Sequence, residues 1–112
     1  MSTDEQAVRS ALAAFGAKAP KLVALTLKDA DQFIADIESA IGRGDAEAVG
    51  LAAHSLKSIL KQVGAETTGG LAFGMEKAGK AGDLGSCGTR LPALRESYVE
   101  TRQLLVTVAK AA

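Results

Sequence analysis

The sequence predicts an all-α fold: an up-down-up-down four-helix bundle preceded by a short additional N-terminal helix. Three observations carry that expectation. Apolar residues recur in alternating steps of three and four along the long stretches of the chain, the spacing of a bundle seam. The breaks between those stretches are short, so consecutive helices are antiparallel neighbours. No stretch shows a strand pattern, an internal repeat or low complexity.

The first helix is expected over about 3–15, where Val8, Leu12 and Phe15 make a short stripe. Ser2 with Glu5, or Thr3 with Gln6, fits a capping box. This helix reads as a lid over one end of the bundle, and part of it as a border to a docking surface. The second helix, about 20–42, opens at Pro20, which suits a first-turn position. Its seam is Val23, Leu27, Ala30, Ile34, Ile37 and Ile41. Asp29, Asp31, Asp36 and Glu38 lie among these positions, and acids so spaced read as a solvated face rather than a metal site. The third helix, about 45–63, has Asp45 as its N-cap and stops at Gly64. The fourth, about 66–81, carries the stripe Leu71, Met75 and Ala78. Gly69, Gly70, Gly74 and Gly79 weaken it, so it must lean on its neighbours or use the glycines for close contact. Residues 82–88 read as a turn-rich connector. The fifth helix is expected over about 89–110, capped by Thr89, with Pro92 in its first turn and Leu91, Leu94, Tyr98, Thr101, Leu105 and Val108 as its seam.

A chain of 112 residues, 47% of them apolar, has the makings of one packed domain spanning 1–112. Thirteen basic and thirteen acidic residues cancel, which argues against a general nucleic-acid binder. The chain has no tryptophan and few other aromatics, so base-stacking platforms are not expected. Cys87 stands alone, and one cysteine with one histidine cannot build a zinc site. No apolar run approaches membrane-spanning length and the N-terminus has no signal-peptide pattern, so a cytoplasmic protein with no membrane partner is expected. A monomer is expected too, because the seams are used within one bundle. Met1 and the helix-length C-terminus suggest a free-standing protein.

His54 is the single histidine. On a helix turning roughly 100° per residue, Val49, Ala52, Leu56, Ile59, Leu60 and Val63 form one apolar stripe. His54 falls almost opposite its centre, on the side of Gly50, Lys57, Ser58 and Lys61. A lone histidine is usually a satisfied core residue or an unremarkable surface one, and its polar face argues against the first. Lys57 and Ser58 at i+3 and i+4 are its surface neighbours. An imidazole nitrogen beside an ammonium suits capture of a phosphoryl group, whose charge the lysine neutralises. Gly50 and Ser58 leave room for close approach. Phe73 and Glu76 share a face displaced from the fourth helix's stripe, and Phe73 reads equally as a docking residue or as partly buried between helices.

The segment Ala53-His54-Ser55-Leu56-Lys57, followed by Gly64-Ala65, resembles the signature of histidine-containing phosphotransfer (HPt) domains. The resemblance extends from about Pro20 to Leu105, with Gly44-Asp45 before the histidine helix and Ala81-Gly82-Asp83 after the next. The sequence departs from the family where Ser58 replaces the usual glycine and where Ile59 and Leu60 replace small residues. The resemblance implies a four-helix bundle that accepts a phosphoryl group on His54, at Nε2, from a receiver-domain phosphoaspartate or a hybrid histidine kinase. The group then passes to another response-regulator receiver. It implies no metal or nucleotide cofactor of its own, since Mg²⁺ sits on the receiver, and no ATP site. Lys57 would screen the phosphoryl charge, with Lys61 assisting. Ser58 would hydrogen-bond Nδ1 or a phosphate oxygen. Gly50, Leu51, Phe73 and Glu76 are the docking-surface candidates, Glu76 also as a polar support for the histidine. The rival readings are a histidine-kinase dimerisation domain, a non-catalytic module that binds receivers without carrying phosphate, and an unrelated helical adaptor.

Overall fold

The computed structural model describes residues 4–111, and among them no strand occurs. Helix α1 spans Glu5–Phe15, and a single 3₁₀ turn at Gly16–Lys18 leads into α2, Ala19–Arg43. Helices α3, α4 and α5 follow at Ala46–Gln62, Glu66–Lys80 and Leu84–Ala111. Helix α2 packs on α3, α3 on α4, α4 on α5, and α5 closes the ring on α2, while α1 leans on α5 and α2. The core is the set of seams the periodicity picks out, with Ile37, Leu56, Leu60, Met75, Leu94 and Leu105 fully buried. The expected start of α1 at Thr3 and its Ser2 or Thr3 capping box lie outside the described residues.

Asp4 works across the fold. Its carboxylate accepts hydrogen bonds from the Thr67 backbone N–H and hydroxyl, both at 3.0 Å. The residue at the N-cap of α4, Ala65, has no side chain for that task. The acidic start of the chain therefore caps the fourth helix. Gly64 lets α1 come this close: its φ is +82°, and a Cβ there would lie 2.5 Å from the Ala7 carbonyl oxygen. Helix α1 is thus a lid over the end of the bundle where α3 turns into α4.

The last helix begins five residues earlier than Thr89. Asp83 caps it, accepting from the Ser86 N–H at 3.0 Å, and the Thr89 hydroxyl donates back to the Gly85 carbonyl from inside the helix. The glycines and serine of 82–88 read as turn, but Cys87 is fully buried and extends the seam one step before Leu91. Pro92 is consequently interior. It has no N–H for the Gly88 carbonyl, which the exposure of Gly88 leaves open to water.

Part of the acidic row on α2 is bonded to α5. Asp31 accepts from the Tyr98 hydroxyl at 2.5 Å and from Arg102 at 3.1 Å, and Glu38 pairs with Arg95. The membrane expectation is corrected in one respect. The helical run Glu5–Arg43 holds an 18-residue window with mean hydropathy 1.2, enough by length and composition alone to cross a membrane. That run is not one rod, since Gly16 adopts φ +57°, and Val23, Leu27 and Ala30 of α2 are buried in the bundle.

Candidate functional site

Helix α3 places His54, and α4 completes its surroundings. The buried side of α3 is Val49, Gly50, Ala53, Leu56 and Leu60, with Ala52 and Ile59 only half-buried. The buried face is therefore turned toward α4 relative to the stripe of large apolar residues. Small residues cause the turn, because α4 approaches α3 closely enough to bury Gly50. A Cβ on Gly79 of α4 would stand 2.6 Å from the Gly50 nitrogen and 2.8 Å from the Ala46 carbonyl oxygen. His54 consequently lies at the edge of the helix contact rather than opposite it. Its side chain is 56% exposed on one flank and touches α4 on the other.

The contact on α4 is Glu76, whose side chain is only 3% exposed. Its Oε2 lies 2.9 Å from His54 Nδ1. Its Oε1 accepts from Lys57 Nζ at 2.7 Å. Lys80, one turn further along α4, brings its ammonium to 2.7 Å from Oε2. Hydrogen bonds from Lys57 and Lys80 outweigh the opposing effect of burial and, with the bond from His54, hold the Glu76 carboxyl down to about 2. Glu76 is therefore a carboxylate throughout the physiological range, and a carboxylate can only accept. Its partner Nδ1 must then carry a hydrogen, so in the neutral ring the lone pair lies on Nε2. A buried anion fixing one ring nitrogen and freeing the other is the arrangement a nucleophilic imidazole needs.

Lys57, with its side chain 19% exposed, is held by more than Glu76. Its ammonium also sits 4.8 Å above the centre of the Phe73 ring, and Lys77 covers the same ring at 4.7 Å. Phe73 is exposed, as one of the two readings of the sequence has it, and borders the site through Lys57. Leu51 is two-thirds exposed and, with Phe33, Arg43 and Ser55, lines a groove between α2 and α3 on the other side of the histidine helix.

Three sequence expectations change. Gly50 does not leave open room beside His54: it is buried, and the Lys80 stem and the Glu76 carbonyl lie over it. Ser58 does not bond Nδ1, which Glu76 occupies; its hydroxyl donates to the His54 carbonyl at 3.1 Å. The Lys61 stem lies across Gly69 of α4, where a Cβ would meet Lys61 Cγ at 3.0 Å, so this lysine covers the earlier part of α4. Lys80 is the residue the sequence reading missed. Its position four residues after Glu76 on one helix face was the available signal. Among the described residues, no group of three or more His, Cys, Asp or Glu side chains is placed to hold a metal ion.

Comparison with known proteins bears on the family and the fold. The family model described as Hpt domain matches residues 21–104. The structure is similar to the crystal structure of histidine-containing phosphotransfer protein B (HptB) from Pseudomonas aeruginosa PAO1. The TM-score is 0.88 over 97% of this chain and 95% of that one, at 20% sequence identity, a likeness of fold. No curated protein sequence matches the chain.

Proposed function

The chain belongs to the Hpt domain family, and on that premise we propose that it is a phosphocarrier that takes a phosphoryl group on His54 from a receiver-domain phosphoaspartate and yields it to another receiver. The observation that carries the reading is the bond between Nδ1 and the buried, ionised Glu76, which reserves the neutral ring's lone pair for Nε2 on a side chain more than half exposed. In the forward step the Nε2 lone pair forms the N–P bond. The donor's P–O bond breaks and its electron pair returns to the aspartate carboxylate. Nδ1 keeps its hydrogen throughout, so the ring becomes cationic beside a carboxylate that stabilises it. Lys57 stands over the incoming charge. The receiver brings its own Mg²⁺, and nothing in the bundle's chemistry calls for a nucleotide.

Docking follows from the surface around His54. Leu51 and Phe33 on one flank and Phe73 on the other offer apolar contacts, with lysines between them to meet the acidic pocket of a receiver. Lys61 and Ser58 border the same approach. A cytoplasmic, monomeric carrier is the setting that suits this chemistry.

The test is phosphate labelling. Incubation with phosphorylated receivers is expected to give an acid-labile, base-stable label on the wild type and none on His54→Gln. Label that survives the substitution removes the assignment. A pull-down of receivers by a wild type that never takes label supports the non-catalytic binding module instead.

A further inference from the structure

Phe73 enters the site through Lys57. The centre of its ring lies 4.8 Å from the Lys57 ammonium and 4.7 Å from that of Lys77. Lys77 follows Phe73 by four residues on α4, so those two side chains are neighbours on one helix face. Lys57 comes from α3, so its place over the ring is made by the fold. An ammonium over an aromatic face at this distance is attracted by the ring quadrupole. Phe73 is exposed, so burial in the core does not explain where its ring lies. Lys57, by contrast, is mostly buried.

Glu76 alone fixes only one direction of that ammonium. The two carboxylate oxygens are shared among His54 Nδ1, Lys57 and Lys80, and the bond from Lys57 takes one of the three hydrogens on its Nζ. A second carboxylate would tighten the hold, but it would also cancel the positive charge that an incoming phosphoryl group needs. An aromatic ring holds a cation and leaves its formal charge intact. With Glu76 on one side and the ring on another, a hydrogen of Nζ remains for a phosphoryl oxygen.

Resting on the phosphocarrier reading above, we propose that Phe73 is a positioning residue for phosphoryl transfer: its ring and Glu76 together hold the Lys57 ammonium in place before the phosphoryl group reaches His54. A lysine free to move has to be ordered as the group arrives, and that cost falls on the transition state. A lysine already held meets the developing charge without it. The ring takes no part in bond making. The N–P bond forms at Nε2 and the donor bond breaks, while Lys57 keeps all its protons. This role acts within the bundle and is separate from the apolar contact that Phe73 offers a docking receiver.

Phosphoramidate distinguishes the two roles, because it is a small donor with no protein surface. Its P–N bond breaks, ammonia leaves, and the phosphoryl group goes to His54. Labelling rates with phosphoramidate are measured for the wild type, Phe73→Leu, Phe73→Tyr, Lys57→Met and the double variant Phe73→Leu/Lys57→Met, and receiver Kd is measured beside them. Phe73→Leu is expected to react about fivefold more slowly. Tyrosine keeps the aromatic face and is expected to stay within about twofold of the wild type. In the Lys57→Met background, the leucine substitution is expected to change the rate by less than about twofold, because that ammonium is already gone. A merely structural role for Phe73 gives an equal loss in both backgrounds, and that result overturns the inference. A tyrosine variant as slow as the leucine variant overturns it too, and so does a loss confined to receiver Kd. A wild type that takes no label from phosphoramidate or from a receiver overturns the phosphocarrier reading and this inference with it. A labelled wild type with an unaffected Phe73→Leu removes Phe73 alone.

Discussion

Replacing Glu76 with glutamine changes one atom type at the centre of the site and so isolates the charge. The glutamine carbonyl can still accept from Lys57, but its NH₂ then faces two donors, His54 Nδ1–H and Lys80, in a pocket where the wild-type side chain is 3% exposed. The magnitude follows from the carboxyl's displacement from 4.5 to about 2. A shift of that size corresponds to about 3 kcal/mol of native-state stabilisation. Because Lys80 is two-thirds exposed and screened by solvent, a loss of about 2 kcal/mol at pH 7 is expected. The pH dependence has a definite sign. The folded-state value is depressed, so the contribution is fully present above the unfolded value of 4.5 and is lost as pH falls toward 2. Urea denaturation of wild type and Glu76→Gln should therefore show a gap at pH 7 that has shrunk by about half at pH 3 and closes toward pH 2. Phosphoryl transfer should fall by about 10–100-fold, as for other supports of a working histidine, since Nδ1–H is no longer held and Nε2 is no longer reserved as the nucleophile. Wild-type transfer by Glu76→Gln, or a stability gap unchanged between pH 7 and pH 3, would refute the role given to the carboxylate.

Three further substitutions probe the scaffold. Gly79→Ala places a Cβ against backbone atoms of α3 that cannot move aside, so α3 and α4 must separate; a net loss of about 2 kcal/mol in urea denaturation is expected, together with slower transfer. Gly70→Ala, with nothing within 4 Å of the new Cβ, is the control and should stabilise by up to about 1 kcal/mol; equal effects at the two positions would show that helix propensity rather than close approach governs Gly79. Asp4→Ala removes the cap of α4, costing about 1 kcal/mol, and faster amide exchange at Thr67 is its signature; unchanged exchange there would mean that the bond from Asp4 contributes nothing.

The bundle was legible in the sequence because its seams are built from large apolar residues at regular steps, and Ile37, Leu60 and Leu105 lie in the core as the periodicity places them. The start of α5 was not, because Gly85, Ser86 and Gly88 carry turn composition while Asp83 and Cys87 carry the structural signal. For the site, the exposed imidazole and its lysine at i+3 could be read from one helix. The orientation of α3 could not. A wheel weighs large side chains, whereas Gly50 and Ala53 are buried because small residues admit another helix. Rotating α3 toward α4 is what brings His54 to Glu76. Both the depth of Glu76 and the reach of Lys80 are properties of that contact, which no single stretch of sequence contains.

The glycines of α4 make physical sense on the same grounds. Each costs a helix about 1 kcal/mol relative to alanine when exposed. Yet a Cβ at Gly79 would strike α3, one at Gly69 would meet the Lys61 stem, and one at Gly74 would come within 2.6 Å of Arg90. Three of the four glycines therefore mark places where another element lies against the helix. What α4 lacks in propensity its neighbours restore from outside. Asp4 caps its first turn, and the Thr68 hydroxyl is hydrogen-bonded to both Ser97 and Thr101 of α5 at 2.6 Å. A helix of stronger formers would carry side chains at these positions and stand further from α3. Glu76 would then no longer reach Nδ1, and the histidine would be an ordinary surface residue. The weakness of α4 as an isolated helix and the placement of the carboxylate under His54 thus have one cause, the close approach that the missing side chains permit.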